Sequence, residues 1–264
     1  LSTKLEANNR PRFNDIVLIF DNLEKIQRFE DRPEGLDSHR ELFLERSAQL
    51  TRFQAHTIYT LPLRLARSVD ASQLAQRYCA EPWVLPMVKV FHRANPDQVY
   101  AAGYQAVKEM LEKRLAGLTL EEAFTTEALE FLLRYSGGHT RNLIRFVRDA
   151  CPKAKTTPIS LRAVQQAVQR TATTFATTIP EPHWAKLAQL ELSHDQQIIV
   201  GDEDYLKMLE ILSVLEYVNG GEETIFEKAA PWYAVNPIVR ELPKFKEAVS
   251  QLRAQRVKDQ TEQA

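Results

Sequence analysis

The chain has 264 residues, of which 44% are hydrophobic and 26% charged, with a formal net charge of −1. This length gives room for two domains or three small ones, and the composition is that of an ordinary globular protein. No apolar run approaches the ~20 residues of a membrane span. The balanced total conceals a division: residues 1–63 carry a net −1, residues 64–179 a net +6 and residues 180–264 a net −6.

Leu1 stands where an initiator methionine would, which reads as a fragment or a processed product. Its neighbours, Leu-Ser-Thr-Lys-Leu-Glu, lack the apolar core of a secretory signal. Residues 1–15 are polar and lead into Ile16-Val17-Leu18-Ile19-Phe20. This apolar run is rich in β-branched residues and predicts a strand buried on both faces of a parallel sheet. It stops at Asp21, with Asn22, Leu23 and Glu24 following. A carboxylate at the carboxyl end of such a strand lies where open α/β folds bind ligands. Many buried strands also end in Asp simply to enter a loop.

The charged stretch Gln27–Ser38, with Pro33 and Gly35, reads as a loop. Asp37 or Ser38 then caps a helix whose expected buried positions are Leu42, Leu44, Leu50 and Phe53. His56–Thr60 predicts a second strand, ended by Leu61-Pro62. Residues 64–80 read as a helix. Trp83–Phe91, centred on Met87–Phe91, predicts a third strand, giving a strand-helix alternation with connections long enough for parallel crossovers.

From Pro96 the pattern turns helical. Val99, Ala102, Ala106, Val107, Met110, Leu111 and Leu115 share one face, and Thr126–Tyr135 forms a second helix ended by Gly137-Gly138. Thr140 opens a third, with Leu143, Ile144, Val147 and Cys151 as its apolar face. Ser160 caps a fourth, with Ala163, Val164, Ala167 and Val168 inward. Ile179-Pro180-Glu181-Pro182 reads as a linker. Beyond it, helices over Trp184–Leu192 and Asp204–Leu212 and strands over Val214–Val218 and Trp232–Val235, joined by a loop through Asn219-Gly220-Gly221, suggest a winged-helix-like domain. A final amphipathic helix runs from Pro237 to about Arg256, and Lys258–Ala264 reads as disordered. Cys79 and Cys151 read as reduced cytosolic thiols that each fill a core gap. The six histidines do not gather with cysteines or acids at ligand spacing, which predicts no structural zinc.

Four features therefore stand in a meaningful order: Asp21 and Glu24 after the first strand, Thr60 at the end of the second, and Arg141 opening a helix after Ser136-Gly137-Gly138-His139-Thr140. In this arrangement the chain resembles the AAA+ class of P-loop ATPases over about residues 14–175. It is most similar to initiator-like and STAND-like members, with a fainter likeness through the carboxyl-terminal region. The resemblance implies an α/β domain followed by all-α structure. A partial parallel P-loop NTPase sheet would occupy residues 1–95, a four-helix lid residues 96–178 and a winged-helix-like domain residues 183–258. It also implies ATP and Mg²⁺ as cofactors. Leu18–Glu24 then matches the Walker B strand, with Asp21 holding Mg²⁺ through water and Glu24 a candidate for water activation. Thr60 matches the polar sensor after the next strand, with Thr57 a weaker match, and Arg141 matches the lid arginine that reaches the γ-phosphate. Each has a plainer reading beside it: Glu24 as a solvated acid, Thr60 as a strand-end threonine, and Arg141 as a cation paired with a neighbouring acid.

The chain departs from that class in two ways. Asn22 stands where many members carry the catalytic glutamate, and Asn cannot act as a base; Glu24 would have to substitute, or turnover would be slow, as suits a switch. No Gly-x-x-x-x-Gly-Lys-Ser/Thr occurs anywhere in the sequence, so the phosphate-cradling loop is absent. The expected function is the carboxyl-terminal portion of an ATP-dependent switch or assembly ATPase. The alternative is a non-enzymatic protein-interaction module derived from one, with no nucleotide binding by this chain alone. A protein partner or self-association is expected, in the cytoplasm and without a membrane. Nucleic acid is disfavoured by the acidic last third, although Lys244, Lys246, Arg253 and Arg256 form a local basic strip. Arg64, Arg67 and Arg77 are equal candidates for an arginine finger.

Overall fold

The structure, a computed structural model, describes residues 15–26, 37–193, 196–218 and 231–262. The polar lead-in before Asp15, most of the expected loop 27–38, and the Asn219-Gly220-Gly221 turn lie outside them. The chain is α/β and mostly helical: two two-stranded sheets and thirteen α-helical segments are formed among the described residues. It divides into two compact units. One runs to Val84 and includes Val200–Asp202, and the other comprises Leu85–Ile199 and the residues from Glu203 onward. Residues 85–95, which the sequence pattern attached to the first domain, thus belong to the second unit. That unit also holds the four-helix region and the carboxyl-terminal region together.

In the first unit, β1 (Val17–Phe20) and β2 (His56–Tyr59) pair in parallel with Val17 opposite His56 and Phe20 opposite Tyr59. The crossover between them is helical. It comprises α1 (Ser38–Arg40), a π turn over Glu41–Glu45 and α2 (Ser47–Leu50). Asp37 caps α1, its Oδ1 accepting from the Arg40 N–H at 2.8 Å. The π turn closes through the Arg46 N–H to the Glu41 carbonyl. Such a turn adds a residue to the helical repeat, and the consecutive Phe43 and Leu44 are both buried here. Phe43 therefore joins the core although the 3.6-residue pattern pointed to Leu42, and Phe53, expected inside, is 47% exposed. The expected helix over 64–80 is two pieces, α3 (Leu63–Ala66) and α4 (Ala71–Tyr78). The break ends at Asp70, which is buried and ion-paired with Arg40 at 3.0 Å.

β1 is not buried on both faces. Leu18 and Phe20 turn inward, where Phe20 stacks on Tyr59 with centroids 5.0 Å apart. On the other side Val17, Ile19 and Ile58 are 55%, 67% and 53% exposed. The crossover helices cover one face only; Phe43, Leu44, Leu65 and Leu74 form the core there.

The third strand does not form. Residues 81–90 form no regular secondary structure, and Phe91 makes one isolated bridge to Val99. The Met87 and Val88 N–H groups donate instead to the Glu216 and Gly138 carbonyls, and Val90 accepts from Tyr100. The Val-rich segment thus finds its burial inside the second unit, with Val90 and Phe91 in the core.

The second unit is built on α5 (Ala101–Glu112), the short α6 (Leu120–Ala123), α7 (Thr126–Ser136), α8 (Thr140–Ala150) and α9 (Leu161–Thr178). Thr119 and Glu122 close a capping box at α6. Leu132, Leu133, Leu143, Phe146 and Val164 fill the space between α7, α8 and α9. All four inward positions expected on α9 are buried. On α5 the buried face is Gly103, Val107 and Leu111, and Ala102 and Ala106 are exposed. Neither cysteine fills a core gap: Cys79 ends α4 in a left-handed conformation and Cys151 opens a 3₁₀ turn, and both are exposed.

Ile179 is buried, and α10 (Glu181–Glu191) starts directly after it, followed by α11 (Glu203–Glu210). The expected antiparallel ribbon is present as β3 (Val214–Val218) and β4 (Pro231–Val235). Trp232 stacks on Tyr217 at 4.5 Å, both fully buried. The single carboxyl-terminal helix is instead α12 (Pro237–Arg240) and α13 (Pro243–Glu262). Pro243 disfavours the helical conformation for Leu242 and is itself suited to a helix start. The tail expected to be disordered from Lys258 continues α13 to Glu262.

Candidate functional site

The carboxyl ends of β1 and β2 bring three of the four singled-out residues together. Parallel pairing in register sets the residues after Phe20 beside those after Tyr59, and the Thr60 N–H donates to the Phe20 carbonyl at 3.1 Å. Asn22 then adopts a left-handed conformation, φ 68°, and a 3₁₀ turn over Leu23–Lys25 folds Glu24 back toward β2. Thr60 Oγ1 donates to Glu24 Oε2 at 2.6 Å and accepts from the Leu23 N–H at 3.2 Å. Its one proton and one of its lone pairs are thereby engaged. Donation from Thr60 to a phosphate therefore requires the bond to Glu24 to open, whereas its second lone pair can still accept from a water.

Asp21 is exposed at the strand end. Its Oδ1 accepts from the Asn22 N–H at 2.8 Å and its Oδ2 from the Asn22 amide at 3.3 Å. Asn22 Oδ1 in turn accepts from Lys25 Nζ. Asn22 thus organises the acidic loop around Asp21. Among the described residues no three His, Cys, Asp or Glu side chains gather as a metal site. Mg²⁺ is commonly held by one or two carboxylates together with water and substrate phosphates, and Asp21 suits that limited part; Glu24 is committed to Thr60. An apolar cavity of about 590 Å³, lined among others by Phe53, Ile58, Tyr59, Tyr78 and Trp83, lies in this unit but is not lined by Asp21, Glu24 or Thr60.

Arg141 belongs to the second unit. It is exposed in the first turn of α8 and makes no side-chain ion pair or hydrogen bond among the described residues, so the reading as half of a local salt bridge does not apply to it. The turn before it has a packing role. Gly137 is the left-handed residue that ends α7. Gly138, at φ 73°, lies so close to the segment over 81–90 that a Cβ there would sit 1.8 Å from the Val88 carbonyl oxygen. The Tyr217 hydroxyl donates to the Gly137 carbonyl at 2.7 Å inside the core. The glycines are accounted for by these close approaches, and Arg141 is the part of the motif that packing leaves unexplained. His139, just before it, has its basicity lowered by burial, with Arg141 and Arg145 adding in the same direction.

The remaining candidates divide plainly. Arg77 is structural: its guanidinium donates to the Leu44 carbonyl at 2.6 Å and to Ser47 Oγ at 3.2 Å. In the basic strip of α13, Lys244 pairs with Glu181, Lys246 pairs with Glu241, and Arg256 donates to the Leu192 carbonyl. Two of the four charges of the strip, Lys244 and Lys246, are thus balanced by acids within the chain. Sequence reasoning missed Tyr217 as the anchor of the Gly137 turn, because its partner is 80 positions away. It also missed the loop-organising role of Asn22, for which an Asp-Asn pair leaving a strand was the available signal.

Comparison with protein families, with curated proteins and with solved structures finds no match for this chain.

Proposed function

We propose that the chain supplies the Mg²⁺-facing strand pair and the lid of an ATP-dependent molecular switch of the AAA+ and STAND kind, with ATP and Mg²⁺ as its ligands and slow hydrolysis at most. The observation that carries this reading is the meeting of Asp21, Glu24 and Thr60 at the carboxyl ends of two adjacent parallel strands, the position at which open α/β sheets bind ligands. Arg141, exposed and without a side-chain ion pair among the described residues, supports it as the nucleotide-sensing cation. In this reading Asp21 orients the hydrated metal. Glu24 holds Thr60 until a nucleotide competes for the hydroxyl, and Arg141 makes the helical region respond to the terminal phosphate. This reading requires a phosphate-cradling loop that these 264 residues do not contain, and it gives the region from α10 to α13 the part of a winged-helix-like partner surface.

A second reading is favoured by a different observation. The exposed Val17, Ile19 and Ile58 leave one face of the parallel pair uncovered, and such pairs are ordinarily covered on both faces. A non-enzymatic interaction module derived from such an ATPase would use that face for a protein partner and bind no nucleotide. Calorimetry with ATP and Mg²⁺ on the natural gene product separates the two. Binding that Asp21→Ala and Arg141→Ala each weaken by about tenfold or more supports the switch. Absence of binding, or binding indifferent to both substitutions, removes it and leaves the interaction module.

A further inference from the structure

A second place in the molecule is built for a negatively charged ligand. Where α8 gives way to the 3₁₀ turn Cys151–Lys153, the loop to Ser160 and the first turns of α9 border a solvent-open pocket of about 430 Å³. Lys153, Lys155 and Arg162 all line it, together with Thr156, Ser160 and Gln166, and no carboxylate does. Three like charges around one small space repel one another, so the arrangement is least costly when an anion lies between them. Lys155 and Arg162 make no ion pair or hydrogen bond, and Lys153 spends one donor on the Asp149 carbonyl at 3.1 Å. Asp149, the nearest acid along the preceding helix, is paired with Arg148.

The hydroxyls are also uncommitted. Ser160 stands at the N-cap of α9 in extended conformation, yet its side chain makes no capping bond, and Thr156 makes no hydrogen bond. The helix they face has 18 residues, and its amino-terminal N–H groups carry positive partial charge toward the same space. The cationic cavity is the site; the helix end adds to it. The whole lies in the stretch of the sequence with a net charge of +6.

We propose that this cavity binds the phosphoryl groups of a small polyphosphate, a di- or triphosphate, held by Lys153, Lys155 and Arg162 and hydrogen-bonded by Ser160 and Thr156. A cavity of a few hundred Å³ suits a small molecule, and its mostly polar lining recognises the charged end of that molecule. Ammonium and guanidinium donors match tetrahedral oxyanions. The site is distinct from Asp21 and Arg141 and does not depend on the function proposed for them.

The test is a calorimetric titration of the whole chain with inorganic pyrophosphate at low salt, repeated on Arg162→Gln and Lys155→Gln. Thermal unfolding of each protein, with and without pyrophosphate, is measured beside it. One-to-one binding that each substitution weakens by about tenfold and a melting temperature raised by pyrophosphate only where binding is retained together establish the site. A short single-stranded oligonucleotide is the competing arm. Preference for it over pyrophosphate would make the surface a nucleic-acid contact and overturn the proposal, as would no binding of pyrophosphate or binding indifferent to both substitutions.

Discussion

In the first unit the parallel strands partly bury Leu18, Phe20, Thr57 and Tyr59 on one side and expose Val17, Ile19 and Ile58 on the other. In the second unit the antiparallel strands bury every residue but Val218 and Pro231. The difference lies in what covers them. The β1–β2 crossover supplies one helical layer. The β3–β4 ribbon packs Tyr217 and Trp232 against Phe91 and exchanges hydrogen bonds with the Met87 segment and the Gly137 turn. β-branched residues that look alike in sequence are thus core in one unit and surface in the other. The candidate nucleotide chemistry of Asp21, Glu24 and Thr60 sits on the less covered unit.

The sharpest way to break this contrast is at Gly138. Gly138→Ala places a Cβ against the Val88 carbonyl and forces a side chain into a left-handed φ. It is expected to destabilise the second unit by about 3–5 kcal/mol, read as a lower urea midpoint by Trp fluorescence. An unchanged midpoint would show that the Val88 segment is not held where described. Leu132→Ala, in the fully buried α7 face, should cost about 2–4 kcal/mol in the same assay.

Thr60→Ala is a smaller perturbation. It removes the bonds to Glu24 and the Leu23 N–H and should cost about 1–2 kcal/mol, measured as faster amide exchange in the Leu23–Lys25 turn. Ile19→Ser, on the open face, should change stability by about 0.5 kcal/mol or less. A loss comparable to that of Leu132→Ala would mean that the face is covered in solution.

The pH response offers a further test. Burial pushes the Tyr78 hydroxyl up from 10.0 to about 12, with Tyr59 adding to the rise. The folded state binds this proton more tightly than the unfolded chain. Its contribution is therefore complete below about pH 10 and is lost as pH rises toward 12. Tyr78→Phe should flatten that alkaline decline, followed by circular dichroism. An identical decline in wild type and variant would assign the loss to other groups.

Legibility in the sequence varied with how local the cause was. The helix over 126–136 is begun and ended by residues acting within their own turns, Thr125 and Gly137, the start of the helix over 161–178 falls at Ser160 although that side chain makes no capping bond, and the ribbon strands carry a dense apolar run. All were readable. Asp21 and Thr60 were each readable as the residue that ends a strand; their meeting rests on the direct, in-register pairing of β1 with β2. The Thr60–Glu24 bond was not, since it depends on Asn22 taking a left-handed conformation.

What the residues dictate by local chemistry is therefore the cap at Asp37, the helix stop at Gly137, and an α/β beginning followed by helices. Tertiary structure alone decided that Met87–Phe91 would leave the sheet for the Gly138 and Glu216 carbonyls, that Phe43 would enter the core with Leu42 packed beside it, and that Val17 and Ile19 would face outward. The physical reason is common to the three. An apolar run states only that burial is favourable, and the surface that provides the burial lies far away in the chain.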